Sequence, residues 1–225
     1  MTAKRPRLQG SEIVWLATAV VAVVVGATFA GFGTGSDGIR AGIRNTARLS
    51  LILLFPAFIA SATAELWRGP FSKWLLRRRR HFGLAFAVSH FTHLALIGAY
   101  LFGHPDMFRD NVGAFGIYGG GAGYLFLFAM TVTSFKGPTR WLGRRKWNVL
   151  HKSGMYIFWG IFASSYIGRA ITRPAFIPLA LLIVVGVALR VAAFAKKRAR
   201  RRSKAERRPR AKNTGEAKTQ AEQTA

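Results

Sequence analysis

The sequence predicts an all-α integral membrane protein, a six-transmembrane-helix bundle with both termini cytoplasmic. Three observations predict it. Six apolar runs, at roughly 12–33, 46–66, 82–103, 113–135, 148–168 and 174–194, each approach the ~20 residues with which a helix crosses a bilayer. The 34 lysines and arginines, set against 8 acidic residues, fall between these runs and in the C-terminal tail instead of being spread along the chain. With the N-terminus placed inside, 26 of the basic residues lie on the cytoplasmic side and six on the outer side, as the positive-inside rule requires. In a soluble chain a net charge of +26 would point to nucleic acid. Its segregation excludes that class and makes anionic membrane lipids the partner of the charge.

Taken in order, residues 1–11 form a basic cytoplasmic N-terminal tail. The first run exceeds the 7–15 apolar residues typical of a signal-peptide core and is expected to be a retained helix. Arg40, Arg44 and Arg48 make a basic patch at the outer face before the second run, read as interfacial anchoring, with docking of an anionic outer partner as the sharper alternative. Arg77–Arg80 then open the third run. The fourth begins VGAFGIYGGGAGY, where Gly116/Gly120 and Gly119/Gly123 have the spacing that lets helices approach closely, or that lets a flat ring lie against the backbone. The six runs make one transmembrane domain, 12–194. Residues 195–225, rich in Lys, Arg, Ala, Gln and Glu without apolar periodicity, are expected to be a disordered cytoplasmic tail resting on anionic headgroups. The absence of cysteine removes disulfides, thiolate zinc sites and thiolate-bound iron–sulfur clusters, and leaves histidine as the main soft ligand.

All five histidines lie between His81 and His151. An ionisable group inside a membrane helix costs about 2.5 kcal/mol or more when charged, so His90 and His93 are expected to face a protein interior, a cavity or a cofactor. Three residues apart, they share a face ~4.5 Å apart along the axis. His104 projects from nearly the same stripe ~16–21 Å further out. Its position before Pro105 is read as a place in the interface. The fifth run starts WNVLHKSGMY and runs parallel to the third, which puts His151 in the cytoplasmic half together with His90 and His93, so that the two helices present imidazoles to each other. Facing histidines in a helical bundle suit an iron macrocycle ligated from both faces. A bare metal centre is less well served, since Glu65 alone lies at an inner helix end, and a proton relay is a further alternative.

The stretch RRHFGLAFAVSHFTH, followed after one intervening helix by RWLGRRKWNVLHKSGMY, resembles the ferric-reductase-like transmembrane domain family, and within it the haem-binding membrane subunits of the bacterial periplasmic methionine-sulfoxide reductase system. Arg79, Arg80 and Gly83 lead to His93 at the family's spacing, and Leu142, Gly143, Arg144, Trp147, Leu150 and His151 match its second element. The resemblance covers roughly residues 46–194. It implies a fold that holds haem b and carries electrons across the membrane, with iron ligated by His151 and by His93 or His90. One departure concerns the histidine that the family usually carries thirteen residues after His151, where this chain has Ser164. One haem is therefore expected, a second requiring His104. Another departure is that nothing after Phe194 offers a flavin- or nicotinamide-binding domain.

The expected function is that of a haem b subunit of the cell inner (plasma) membrane, a membrane oxidoreductase component without its own flavin domain. Its electrons are expected from a separate cytoplasmic flavin reductase or from quinol, and its acceptor is outside: a periplasmic reductase, ferric chelates or dioxygen. The alternative is a haem-free polytopic transporter or scaffold whose histidines make interhelical hydrogen bonds.

Overall fold

A computed structural model describes residues 10–223 of the chain, and the side chains of all of these but Phe115, Lys136, Lys204 and 206–223. Except for Gly10 and Ser11, the expected N-terminal tail lies outside the described residues. These fold into eight α-helices: α1 (Ser11–Phe32), α2 (Ser36–Leu66), α3 (Pro70–Gly103), α4 (Pro105–Asn111), α5 (Ala114–Val132), α6 (Lys136–Leu142), α7 (Arg144–Thr172) and α8 (Ile177–Gln223), the last preceded by a 3-10 turn at Pro174–Phe176. No strand occurs among them.

Four helical stretches are long and apolar enough to cross a membrane: α1, α2, α3 and Pro174–Ser203. A fifth is added if α4 and the part of α5 from Gly116 to Val132, bent by 98° from it, make one broken span. The chain is thus a multi-pass membrane protein, with four or five spans by this measure where the sequence predicts six. The difference lies in α7, and also in α5 when α4 and α5 are not counted as one span. The 29 residues of α7 suffice in length, but it opens Arg144-Arg145-Lys146 and carries Asn148, His151, Lys152, Ser153, Ser164 and Ser165 along its course. Apolar side chains such as Trp15, Leu16 and Val23 on α1 and Leu181, Val184 and Val191 on α8 are exposed on the outside of the bundle, where lipid is their natural solvent.

The centre of the bundle is α2, which packs on α1, α3 and α8, while α7 joins α5 to α8. Close approach of α2 to α3 follows from small residues one turn apart. Gly42 leaves room for Leu96, Thr46 reaches His93, and Ser50 Oγ bonds Ser89 Oγ at 2.9 Å. Glycines were expected to serve this purpose in α5 as well, and there Gly123 packs against Ile161 and Phe158 of α7, while Gly120 faces open space. Ser50 and Ser89 are fully buried, so each hydroxyl depends on the other helix for its partner. A double-mutant cycle over Ser50→Ala and Ser89→Ala should give a coupling of about 0.6 kcal/mol and no more than about 1.7, read from denaturation midpoints in detergent. A coupling of zero would remove this bond from the interface.

Between α2, α7 and α8 the core is aromatic. Phe58 stacks on Trp159 with ring centroids 3.7 Å apart and planes 2° from parallel. Gly186 of α8 lies directly against the Trp159 ring, so that a Cβ there would overlap it. Beyond the expected end of the last run, α8 continues as helix to Gln223. Lys196 Nζ donates to Leu66 O at 2.8 Å and Arg200 pairs with Glu65 at 3.1 Å, which tie this extension to the end of α2. The residues that make the segment polar, Ala, Lys, Arg, Glu and Gln, are also strong helix formers. Composition that precludes a packed core therefore does not preclude a helix.

Candidate functional site

A cavity of about 770 Å3 opens between α2, α3, α5, α7 and α8, at the end of the bundle where Arg77–Arg80 lie. This volume is within the ~300–1,000 Å3 of small-molecule and cofactor sites. Leu54, Ala57, Leu84, Phe86 and Leu127 make its walls apolar, and six cations border it: Arg77, Arg79, Arg80, Arg140, Lys152 and Arg190. No carboxylate lines it among the described residues. Charges embedded in a membrane bundle need partners, and an excess of this size with no acid opposite it favours an anionic occupant. His151 is the one imidazole in the lining.

Local sequence explains how His151 is held. Gly143 has φ 75°, a conformation that glycine adopts without strain, and it turns the chain from α6 into α7. Four residues into α7, Trp147 stacks on His151, one turn further, with centroids 4.2 Å apart. Trp147 Nε1 donates to Thr133 O at 2.9 Å, which anchors the indole to the end of α5. The Thr133 hydroxyl donates to Ala129 O and lies 3.1 Å from His151 Nε2. With its proton thus engaged, Thr133 Oγ1 accepts from Nε2–H, and Nδ1 keeps the lone pair of the ring. The Leu-Gly-Arg and Trp-x-x-Leu-His elements of the sequence accordingly build a turn and a clamp around one imidazole.

His90 and His93 come together elsewhere. Their rings stack with centroids 5.1 Å apart. His93 faces α2, where its Nδ1 donates to Ile43 O at 2.9 Å, with Thr46 Oγ1 3.1 Å away. That contact fixes the proton on Nδ1 and frees Nε2, an arrangement common among metal-ligating histidines. His90 is only 7% exposed and sits among Phe86, Tyr124, Phe158 and Phe162. Its Nδ1 and the Tyr124 hydroxyl are buried without a hydrogen-bond partner among the described residues.

The expected facing of His151 with His90 and His93 at one depth is not what the geometry shows. His90 lies against Phe158 and Phe162, which follow His151 by seven and eleven residues on α7. At ~1.5 Å per residue, His90 is therefore ~10–16 Å further along the bundle than His151. Two nitrogens on one iron must be about 4 Å apart, at ~2 Å per bond. Phe86 fills the interval, lining the cavity on one side and stacking on His90 at 5.1 Å on the other. The error arises from the register of α3 against α7. Helical spacing tells which residues share a face of one helix, but it does not tell at what height another helix meets that face.

Beyond the two histidines a column of aromatic rings continues, Phe162 to Tyr166 at 6.1 Å and Tyr166 to Phe176 at 6.0 Å, ending beneath Arg48. His104 lies at the junction of α3 and α4, half-buried beside Tyr100, and joins neither group. His81 packs on Gly10. Ser164, at the position where a further histidine was sought, is exposed and donates to Ile161 O. Among the described residues no three His, Asp or Glu side chains converge as a bare-metal site would need.

Arg190 is the site residue that sequence reasoning undervalued. It donates to Phe58 O at 2.7 Å and to the Tyr156 hydroxyl at 3.1 Å, and its guanidinium lies 4.6 Å and 4.8 Å from the Phe58 and Tyr156 ring centres. A lone arginine inside an apolar run was the available signal, since such a charge is seldom without a task.

No family model matches the chain, and no solved structure matches it significantly. Curated relatives do. One from Rhodospirillum rubrum is 35% identical over 150 residues, covering 66% of this chain and 70% of the relative. The chain belongs to the MsrQ family. A second MsrQ, from Deinococcus radiodurans, is 29% identical over 144 residues, covering 57% of this chain and 67% of its own. Both relatives carry the name heme-binding subunit of protein-methionine-sulfoxide reductase. Membership in the MsrQ family agrees with the resemblance that RRHFGLAFAVSHFTH and WNVLH suggested.

Proposed function

We propose that this chain is a haem-bearing electron-transfer subunit of a methionine-sulfoxide reductase system in the inner membrane, and that the cavity around His151 is its haem site. The single observation that carries this reading is the lining of that cavity, in which one oriented imidazole sits within an apolar wall bordered by six cations and, among the described residues, no carboxylate. Those are the groups a porphyrin with two carboxylates and a central iron requires. When bound, haem b supplies a one-electron change of oxidation state within a low-dielectric shell. His151 offers the ligand nitrogen, Trp147 and Thr133 orient it, and Arg77, Arg79, Arg80, Arg140 and Lys152 are placed to neutralise carboxylates.

In this reading α7 is the sixth span, with Asn148, His151 and Lys152 turned toward the cavity, and both termini are cytoplasmic. The arginine-bordered mouth then faces the cytoplasm, where a separate flavin reductase or quinol delivers electrons. The column from Phe86 through His90 and Phe162 to Phe176 leads from the cavity to the outer face, where a periplasmic reductase is the acceptor. His90 and His93 stand along that route, stacked on each other and separated by Phe86 from an iron held at His151.

A second reading, a haem-free polytopic protein with structural histidines, is favoured by one specific observation. His93 and His151 both have hydrogen-bond partners within the bundle. Reduced-minus-oxidised visible spectra of the detergent-purified wild-type protein, produced with ample haem, decide between the two. The expected result is a b-type haem spectrum at about one haem per chain. A colourless protein would leave the second reading standing.

A further inference from the structure

The family resemblance brings with it an iron held between two imidazoles, and the cavity of this chain does not contain two. His151 is the one imidazole in its lining among the described residues. Ser164 stands at the family's further histidine position with its hydroxyl turned back on Ile161 O. His90 and His93 are separated from the cavity by Phe86, itself 2% exposed and locked edge-on against Phe158 with centroids 5.0 Å apart. The stacked pair has no open path to the same iron as His151.

Other donors do not replace the missing ring. Met155 lies one turn after His151 on the same helix and so belongs to the same wall. Met130 is on α5 with its Sδ seated against Gly154 of α7, where a Cβ would collide with it. That also places it on the His151 side. Facing this wall, α3 contributes Arg79, Arg80, Gly83 and Leu84, and none of these is a haem-iron ligand.

Resting on the haem reading above, we infer that a haem in this cavity has His151 as its only protein ligand, and that its second axial position is open to a small exogenous ligand: a neutral diatomic gas on ferrous iron or a small anion on ferric iron. The chain would then add ligand sensing or ligand-controlled electron flow to simple conduction, since an occupied axial position changes the redox state that the iron prefers.

The experiment is spectroscopic and needs no turnover. Full-length protein in detergent is reduced and titrated with carbon monoxide, and the oxidised protein is titrated with cyanide. Expected are a high-spin spectrum in the absence of added ligand, a shift of the Soret band with about one carbon monoxide per haem, and a cyanide-dependent change to low spin. His90→Ala and His93→Ala should leave these spectra unchanged. A low-spin haem that ignores both ligands, whatever residue fills the position, overturns the inference while leaving the haem reading intact. A spectrum altered by His90→Ala or His93→Ala also overturns it, by showing that the pair reaches the iron. A colourless wild-type protein overturns the inference and the haem reading together.

Discussion

His151→Ala is expected to leave the purified protein with less than about a tenth of the wild-type haem while the helical bundle stays folded. Loss of a metal's own ligand exceeds the ~10–100-fold loss of affinity seen when only a residue supporting a ligand is changed. The bundle survives because His151 contributes one hydrogen bond, to Thr133, and one ring contact, to Trp147, and neither belongs to the buried aromatic core. Thr133→Val should have the milder effect of about tenfold weaker haem retention, since it removes the acceptor that sets which ring nitrogen keeps the lone pair. Haem per chain by pyridine haemochrome assay, together with the elution position on size exclusion, reads both. Wild-type haem content in His151→Ala, in a monodisperse sample, would move the site away from this cavity.

Phe58→Ala should be the most destabilising single substitution in the core, by about 3 kcal/mol. Large-to-small aromatic changes in close-packed interiors cost about 3–5 kcal/mol, and the lower end applies because lipid, not water, is the alternative surrounding. Phe58 is 1% exposed. It stacks on Trp159, meets the Tyr156 ring edge-on at 5.9 Å and carries the Arg190 guanidinium on its face. Truncation therefore leaves a void at the meeting of α2, α7 and α8, and it deprives a membrane-embedded cation of one of its two aromatic faces. Denaturation midpoints in mild detergent measure the effect. A loss below about 1 kcal/mol would mean that the three helices close around the gap, and that this junction is softer than its packing indicates.

Several features of the fold could be read from residues alone. Runs of apolar residues separated by clusters of arginine mark spanning helices because neither group tolerates the other's solvent, and α1, α2, α3 and the apolar half of α8 contain the expected runs, with α2 and α3 beginning about ten and twelve residues earlier than expected. The paired stretches around Gly83–His93 and Trp147–His151 announced the family, and the relatives bear that out. The polar character of α7 was also legible, in Arg144 to Lys146 and Lys152, but it was outweighed by the length of the run that follows. What misled was the inference from face to depth. His90, His93 and His151 were each assigned correctly to a helix, yet nothing in a one-dimensional pattern states that His90 meets Phe158 and Phe162 and not the residue seven positions earlier.

By itself the sequence determined an all-helical membrane chain of the MsrQ family, because hydropathy, charge segregation and motif spacing are properties of the chain in order. Only the tertiary structure decided that Gly42, Thr46 and Ser50 bring α2 against α3, that Arg190 rests between Phe58 and Tyr156, and that His151 stands in the cationic cavity apart from the His90–His93 stack. The reason is physical. Register between packed helices is set by the fit of side chains from distant segments, and that fit exists only when the helices have met.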